Sequence, residues 1–519
     1  MYELLIILIY YSLSLECTET IVIPEGETEI KVSEYENCKS LINLKLPESL
    51  ITISYKAFSG CSNLAGTLTI PNSVKTIGDY AFNRCSKLTG LIIGNQIESI
   101  GSNSFSHCSK ISGQIAIPDS VTKMGNHSFS YCSAITELKL SNSIQLIRPY
   151  SFYHLDSLEK LEIPNSITEI QTYAFSNCRQ MKALTLSNTL TIIGMHSFSF
   201  NFELESVIIP ESVKELNPYC FYRCLKLQSI TLGNQIEFIG NYSFAHCEKI
   251  NGKLTIPNSV KEVRSYAFYS CSNINSLSLG TNVQIIGNNA FDSCSGLQGE
   301  LLIPDSVTLI ETQAFNKCQH LSNLKLSNKV TSIGFMSFND CINLEGSLVI
   351  PDTVTRIEKR AFSNCRKIKS LSLGSSIQTL ANESFVNCSS LSDTLELPKS
   401  VTSIGYRCFS NTNFQSIVYN GLSSPNCPSE IFSSSSIHVY VPPQFSSSGF
   451  CGLENVYYIN SNDPLITPKG KSGNKLNTGQ IAGIVVGCVA FVAIVIVITI
   501  IIIKRRKINN SQNENSNSA

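Results

Sequence analysis

The 519-residue sequence predicts an elongated solenoid of stacked coils followed by one membrane-crossing helix, and three observations predict it. An Ala/Ser-Phe-x-x-Cys motif recurs every 23 or 24 residues. Its aromatic position is Tyr35, then Phe58, Phe82, Phe105, Phe129, Phe152, Phe175, Phe198, Phe221, Phe244, Phe268, Phe291, Phe315, Phe338, Phe362, Phe385 and Phe409. A short apolar alternation closed by Pro, Gly or Ser precedes most copies of the motif. An uncharged run of 23 residues, 481–503, stands before Lys504, Arg505, Arg506 and Lys507. A strict period means coils that each bury an apolar face against their neighbours. Such a chain offers a long repeated surface and no single cleft.

Residues 4–15 have the length and apolarity of a signal-peptide core, too short to span a bilayer. Residues 1–17 therefore read as a leader, although Glu3 stands where a basic residue is usual. Residues 18–34 read as an N-terminal cap with one strand, Thr20 to Ile23, ended by Pro24. The repeats run over residues 35–412. In a typical unit Leu254 and Ile256 alternate as a strand, and Pro257, which cannot donate to a ladder, ends it. Asn258 and Ser259 supply turn chemistry, and Val260 and Val263 return to the core. Ala267 to Cys271 then reads as a short helical turn on the opposite side, with Ala267 leaving room for the Phe268 ring.

A longer rhythm overlies the short one. Pro71, Pro118, Pro164, Pro210, Pro257, Pro304, Pro351 and Pro398 close alternate strands, while Gly94, Ser141, Ser187, Gly233, Gly280, Ser327 and Gly374 close the others. Duplication by pairs of coils fits this spacing. Residues 413–460 read as a C-terminal cap because the periodicity stops after Phe409, and residues 461–480 as a flexible stalk. Residues 481–503 are long enough to cross about 30 Å of hydrocarbon, and the basic cluster marks the cytoplasmic end of a tail, residues 504–519. The expected location is the plasma membrane, single-pass type I, with the repeats outside.

Formal net charge is zero. Setting aside Lys469, Lys471, Lys475 and the four tail cations, with Glu3, Glu16 and Glu514, leaves 32 basic against 36 acidic residues. A mildly acidic repeat region argues against phosphate-backbone binding, hence against nucleic acid.

The repeated unit, well seen at Leu68–Cys85, Leu254–Cys271 and Leu348–Cys365, resembles the BspA-like class of leucine-rich repeat. The resemblance covers about residues 20–460 and implies an α/β-type leucine-rich repeat solenoid, mostly short strands with helical turns on the convex side. It further implies a membrane-anchored surface protein that adheres to host matrix, host cells or other microbes. Leu155, Asn201 and Thr412 depart from the pattern where Cys is expected.

Fourteen of the 20 cysteines, Cys38 to Cys388, occupy the repeat slot. Adjacent coils bring such positions about 5 Å apart, which permits disulfides. Side chains in a ladder point in parallel, however, and Leu155 shares the slot, so a column of buried thiols is the favoured reading. Off-pattern Cys427 and Cys451 are the disulfide candidates, stapling the C-terminal cap. With no Cys-x-x-Cys pair or His cluster there is no zinc reading, and the seven histidines read as structural. No hydrolase, metalloprotease, dinucleotide or phosphate-loop motif is present, so neither an enzyme nor a cofactor is expected.

The outward strand positions should line a concave sheet, where such scaffolds usually bind. Glu137, Lys139, Lys160 and Glu162 form its densest charged patch and are the candidate ligand-binding residues. The alternative is a solvated face with cross-strand ion pairs. Asn126, Asn241 and Asn382 open N-glycosylation sequons three residues before a Phe, on the turn side; a fourth sequon, at Asn387, shares its loop with the inward Cys388. The expected function is a non-catalytic adhesin binding extracellular proteins or glycans through the concave face. The alternative is a receptor that signals or internalises ligand through a membrane partner.

Overall fold

The computed structural model describes residues 17–428 and 430–459. The expected stalk, membrane span, tail and residues 1–16 of the leader lie outside them. No helix among the described residues is long and apolar enough to cross a membrane.

Each coil has three sides. In one, the strand Lys160–Glu162 turns Leu161 inward and its flanking charges outward, the period-two pattern of a half-buried strand. Pro164 ends it, and a second, two-residue strand, Glu169–Ile170, brings Ile170 back to the core. A turn segment through Phe175 and Cys178 closes the coil. Equivalent strands pair in parallel one coil apart, Lys160 with Ala183 and Glu169 with Ile192. There are thus two ladders, where the repeat pattern showed only the longer one. The two-residue strands form an unbroken twelve-stranded sheet from Leu146–Ile147 to Ser403–Ile404.

The expected helical turns are absent: the turn side contains no helix among the described residues. The reason lies in the backbone. Tyr266 and Ser270 both have positive φ, 60° and 58°, which breaks a right-handed helix twice in five residues. Alternate amides then divide their partners. Those of Tyr266, Phe268 and Ser270 donate to carbonyls of the next coil at 2.8–2.9 Å, while those of Ala267 and Tyr269 donate locally, three residues back. The side is a ladder of turns, bonded both within and between coils.

The ring column is the spine of the core. From Tyr35 to Phe432 successive rings stack nearly parallel with centroids 5.1–5.8 Å apart. Each phenylalanine can bury about 150–250 Å². Beside it runs the sulfur column. The Cys271 thiol donates to the Phe244 carbonyl at 3.2 Å, and Cys61, Cys85, Cys108, Cys132, Cys224, Cys247 and Cys294 repeat the bond one coil at a time. Fifteen cysteines among the described residues are free and buried. Cys38 is a correction to the expected thiol column, because it is bonded to Cys17 instead. A leader ending at residue 17 would remove that partner, so the 1–17 boundary and this disulfide exclude each other.

Both ends continue the repeat. Thr20–Val22 pairs with Asn43–Lys45, and Glu29–Ile30 with Thr52–Ile53, so residues 18–34 form an ordinary coil. The ladder also runs past Phe409. Phe432 stacks on it at 5.6 Å, and Ser416–Tyr419, His438–Val441 and Val456–Tyr458 add three parallel strands. Cys427 and Cys451 are joined across this last part, with Cα atoms 5.3 Å apart.

The Pro/Gly alternation has a steric cause. A Cβ on Gly233 would lie 2.6 Å from the Pro210 carbonyl oxygen, too close for any side chain without a backbone shift. In the serine version of the slot the Ser141 hydroxyl bonds the Val121 carbonyl at 2.8 Å. A polar residue after the proline can complete the pairing: Asn72 Oδ1 accepts the Asn95 amide and Asn258 Oδ1 the Thr281 amide.

Candidate ligand-binding surface

On the long-strand side, half of the strands are cut into pairs. Six coils carry an extra residue, and in five of them Gly66, Gly113, Gly252, Gly299 and Gly346 take it up at positive φ, beside a register shift. Between Phe129 and Phe244 the spacing is 23 throughout, and no such glycine intervenes. The strands there, Ile135–Lys139, Lys160–Glu162, Ala183–Thr185, Ser206–Ile208 and Ser229–Thr231, join Gly113–Ala116, which opens on one of the bulge glycines, in one continuous six-stranded sheet.

The four candidate residues lie together near one edge of this sheet. Glu137 is the register partner of Lys160 on the neighbouring strand. Lys160 Nζ meets Glu162 Oε1 at 2.6 Å along its own strand, and that hydrogen bond holds the ammonium protonated above its ordinary range. Glu137 and Lys139 are exposed and form no ion pair among the described residues. A cation and an anion are therefore left for an outside partner.

Farther along the sheet the face becomes uncharged. Ile208 stands 68% exposed, the most open large apolar side chain among the described residues, beside Thr185 and Thr231 in the same column. Val22, Ile92, Leu302 and Val349 occupy that column elsewhere and are also exposed. Sequence reading missed these five. Each sits inside an all-apolar triplet such as Val207, Ile208 and Ile209, where composition suggests core and only strand alternation shows that the middle residue points out.

The turn side of the same region carries a second feature. His127, Tyr150, Tyr173, His196, Tyr219, Tyr242 and Tyr266 stack face to face with centroids 4.4–4.8 Å apart. Burial pushes the His127 and His196 pKa values down, which keeps the rings neutral within the stack. Tyr153, Tyr222 and Tyr269 wedge edge-on against it. Asn126, Asn241 and Asn382 are exposed on this side, whereas the Asn387 amide is half-buried and donates to Asn364 at 2.8 Å.

No group of His, Cys, Asp or Glu able to hold a metal occurs among the described residues. The sequence profile described as BspA type Leucine rich repeat region matches residues 9–133, 112–228, 214–345 and 308–439. The chain belongs to the BspA-type leucine-rich repeat family. Its BspA-type fold is similar to that of a leucine-rich repeat protein from Bacteroides ovatus, 22% identical, over 86% of this chain and 93% of that one, with a TM-score of 0.54. A leucine rich cell surface protein from Faecalibacterium prausnitzii is 22% identical over 68% of this chain and 90% of its own, with a TM-score of 0.36. The pneumococcal vaccine antigen PcpA is 19% identical over 76% and 89%, with a TM-score of 0.39. Among curated proteins none matches this sequence.

Proposed function

We propose that this BspA-type chain is a non-catalytic adhesin of the cell surface, binding extracellular proteins or glycans of host cells, matrix or other microbes through its long-strand face. The observation that carries the reading is the continuous sheet over Gly113–Thr231, which sets Glu137 and Lys139, outside any ion pair among the described residues, on the same face as an apolar Ile208 three strands away. A flat, repeated surface of modest charge suits many weak contacts whose combined avidity holds a cell. The apolar run 4–15 and the span 481–503 with its basic flank support export and a single-pass anchor, with the C-terminus in the cytoplasm. Glycans at Asn126, Asn241 and Asn382 would decorate the turn side and leave the sheet clear.

Cells displaying the full chain test this against cells displaying the chain without residues 508–519. Adhesion to epithelial cells should be equal in the two. Loss of adhesion on removing the tail would replace the adhesin by a receptor acting through the cytoplasm.

A further inference from the structure

The second residue after each column phenylalanine carries a large or charged side chain in most coils, Arg223, His246, Lys317 and Asp340 among them. At Ser270 and Ser293 it is small in two consecutive coils, and two residues on Ser272 and Ser295 are small as well. A notch of about 400 Å³ opens on the turn side over these four serines. The Gly296 amide donates to the Ser272 carbonyl at 2.8 Å, drawing the two coils together beneath the notch. Ser293 Oγ donates to Asp292 Oδ1, while the hydroxyls of Ser270, Ser272 and Ser295 make no hydrogen bond within the described residues.

Opposite charges close the two ends, Glu248 and Lys317, both exposed and neither ion-paired. They stand three coils apart, about 14 Å at strand spacing. His246 precedes Ser270 in the same column and meets Tyr269 edge-on at 5.2 Å. Burial and the nearby Arg223 lower its pKa, against the opposing pull of Glu248. Ser270 stands where a further ring would cover that side.

We propose that this notch binds a short acidic oligosaccharide, with a sugar carboxylate at Lys317 and ring hydroxyls on the serines, Gln319 and Glu248. Free hydroxyls, which both donate and accept, match the vicinal diols of a sugar, and the ammonium gives a charge-assisted bond to a carboxylate. A peptide would need an apolar side-chain pocket or an open strand edge, and the notch has neither. The site is on the turn side and stands or falls independently of the long-strand face.

Saturation-transfer NMR on the full chain would compare a hyaluronan tetrasaccharide, which alternates uronic acid with an N-acetylhexosamine, with neutral cellotetraose. The acidic sugar should bind saturably and the neutral one about tenfold more weakly. Ser270→Tyr should abolish binding without unfolding the protein, because Tyr131 occupies the same position in another coil. Lys317→Gln should erase the difference between the two sugars. No saturable transfer from the acidic tetrasaccharide, equal binding of both sugars by the wild type, or undiminished binding in Ser270→Tyr overturns the proposal.

Discussion

The Asn201 side-chain amide donates to the Phe175 carbonyl at 3.2 Å, the place a cysteine thiol takes in neighbouring coils. Its oxygen accepts the Cys178 amide at 2.8 Å, so one fully buried side chain satisfies two backbone groups. The irregular residue thus performs the repeat's own task by other atoms. Asn201→Ala should cost about 2–3 kcal/mol by chemical denaturation, since buried backbone groups lose their partners. Asn201→Cys should cost less than Asn201→Ala, because a thiol restores the bond to Phe175. Equal losses for the two variants would show that the slot needs only volume.

Burial raises the pKa of column thiols from an ordinary 9.0 to about 11 at Cys61, and to about 12 at Cys108, Cys178 and Cys341. The unfolded chain loses these protons near pH 9, while the folded chain keeps them. The folded state therefore binds more protons in that range, and stability falls as pH rises from about 9 towards the folded values. Each thiol contributes a slope of up to about 1.4 kcal/mol per pH unit. Denaturation midpoints should be flat from pH 6 to 8 and drop steeply above 9. Iodoacetamide should leave the fifteen buried thiols unmodified until the protein unfolds.

Arg264 spans two coils. Its guanidinium meets Glu215 at 2.6 Å and Glu262 at 3.3 Å and lies over the Phe238 ring, 4.7 Å from the centroid. Half-exposed ion pairs are worth little singly, and the ring contact adds a comparable amount. Arg264→Ala should destabilise by about 1–2 kcal/mol, and Arg264→Lys should recover only part, because a point charge loses the stack and the fork. High salt should shrink the difference from wild type without removing it.

The repeat was legible because every coil restates the same apolar positions, and the ring column follows directly from the spacing of the phenylalanines. The turn side was misread because Ala267, Phe268 and Cys271 fit a helical spacing equally well; only the positive φ at Tyr266 and Ser270 tells the turn ladder from a helix. Phe432 was overlooked because Ser435 stands where its cysteine should be, although it follows Phe409 by 23 residues. Cys38 looked like one more column thiol because its partner, Cys17, falls where a leader was expected to end. The candidate patch was placed by strand alternation alone, whereas the continuity of the sheet from Ile135–Lys139 to Ser229–Thr231 goes with a constant spacing of 23 and no bulge glycine. That signal was present in the sequence, but its meaning rests on hydrogen bonding between coils.

The most direct measurement is binding of a fragment spanning residues 17–478 to matrix proteins, epithelial cells and bacterial surfaces. It would be compared with a variant reversing charge at Glu137, Lys139, Lys160 and Glu162, and with Ile208→Asp. The five altered side chains are all exposed on the same sheet, so both variants should fold and unfold as the wild type does. The expected result is at least about tenfold weaker binding in each, because both remove contacts from one shared interface. Undiminished binding by both folded variants would contradict a ligand face on the long-strand side.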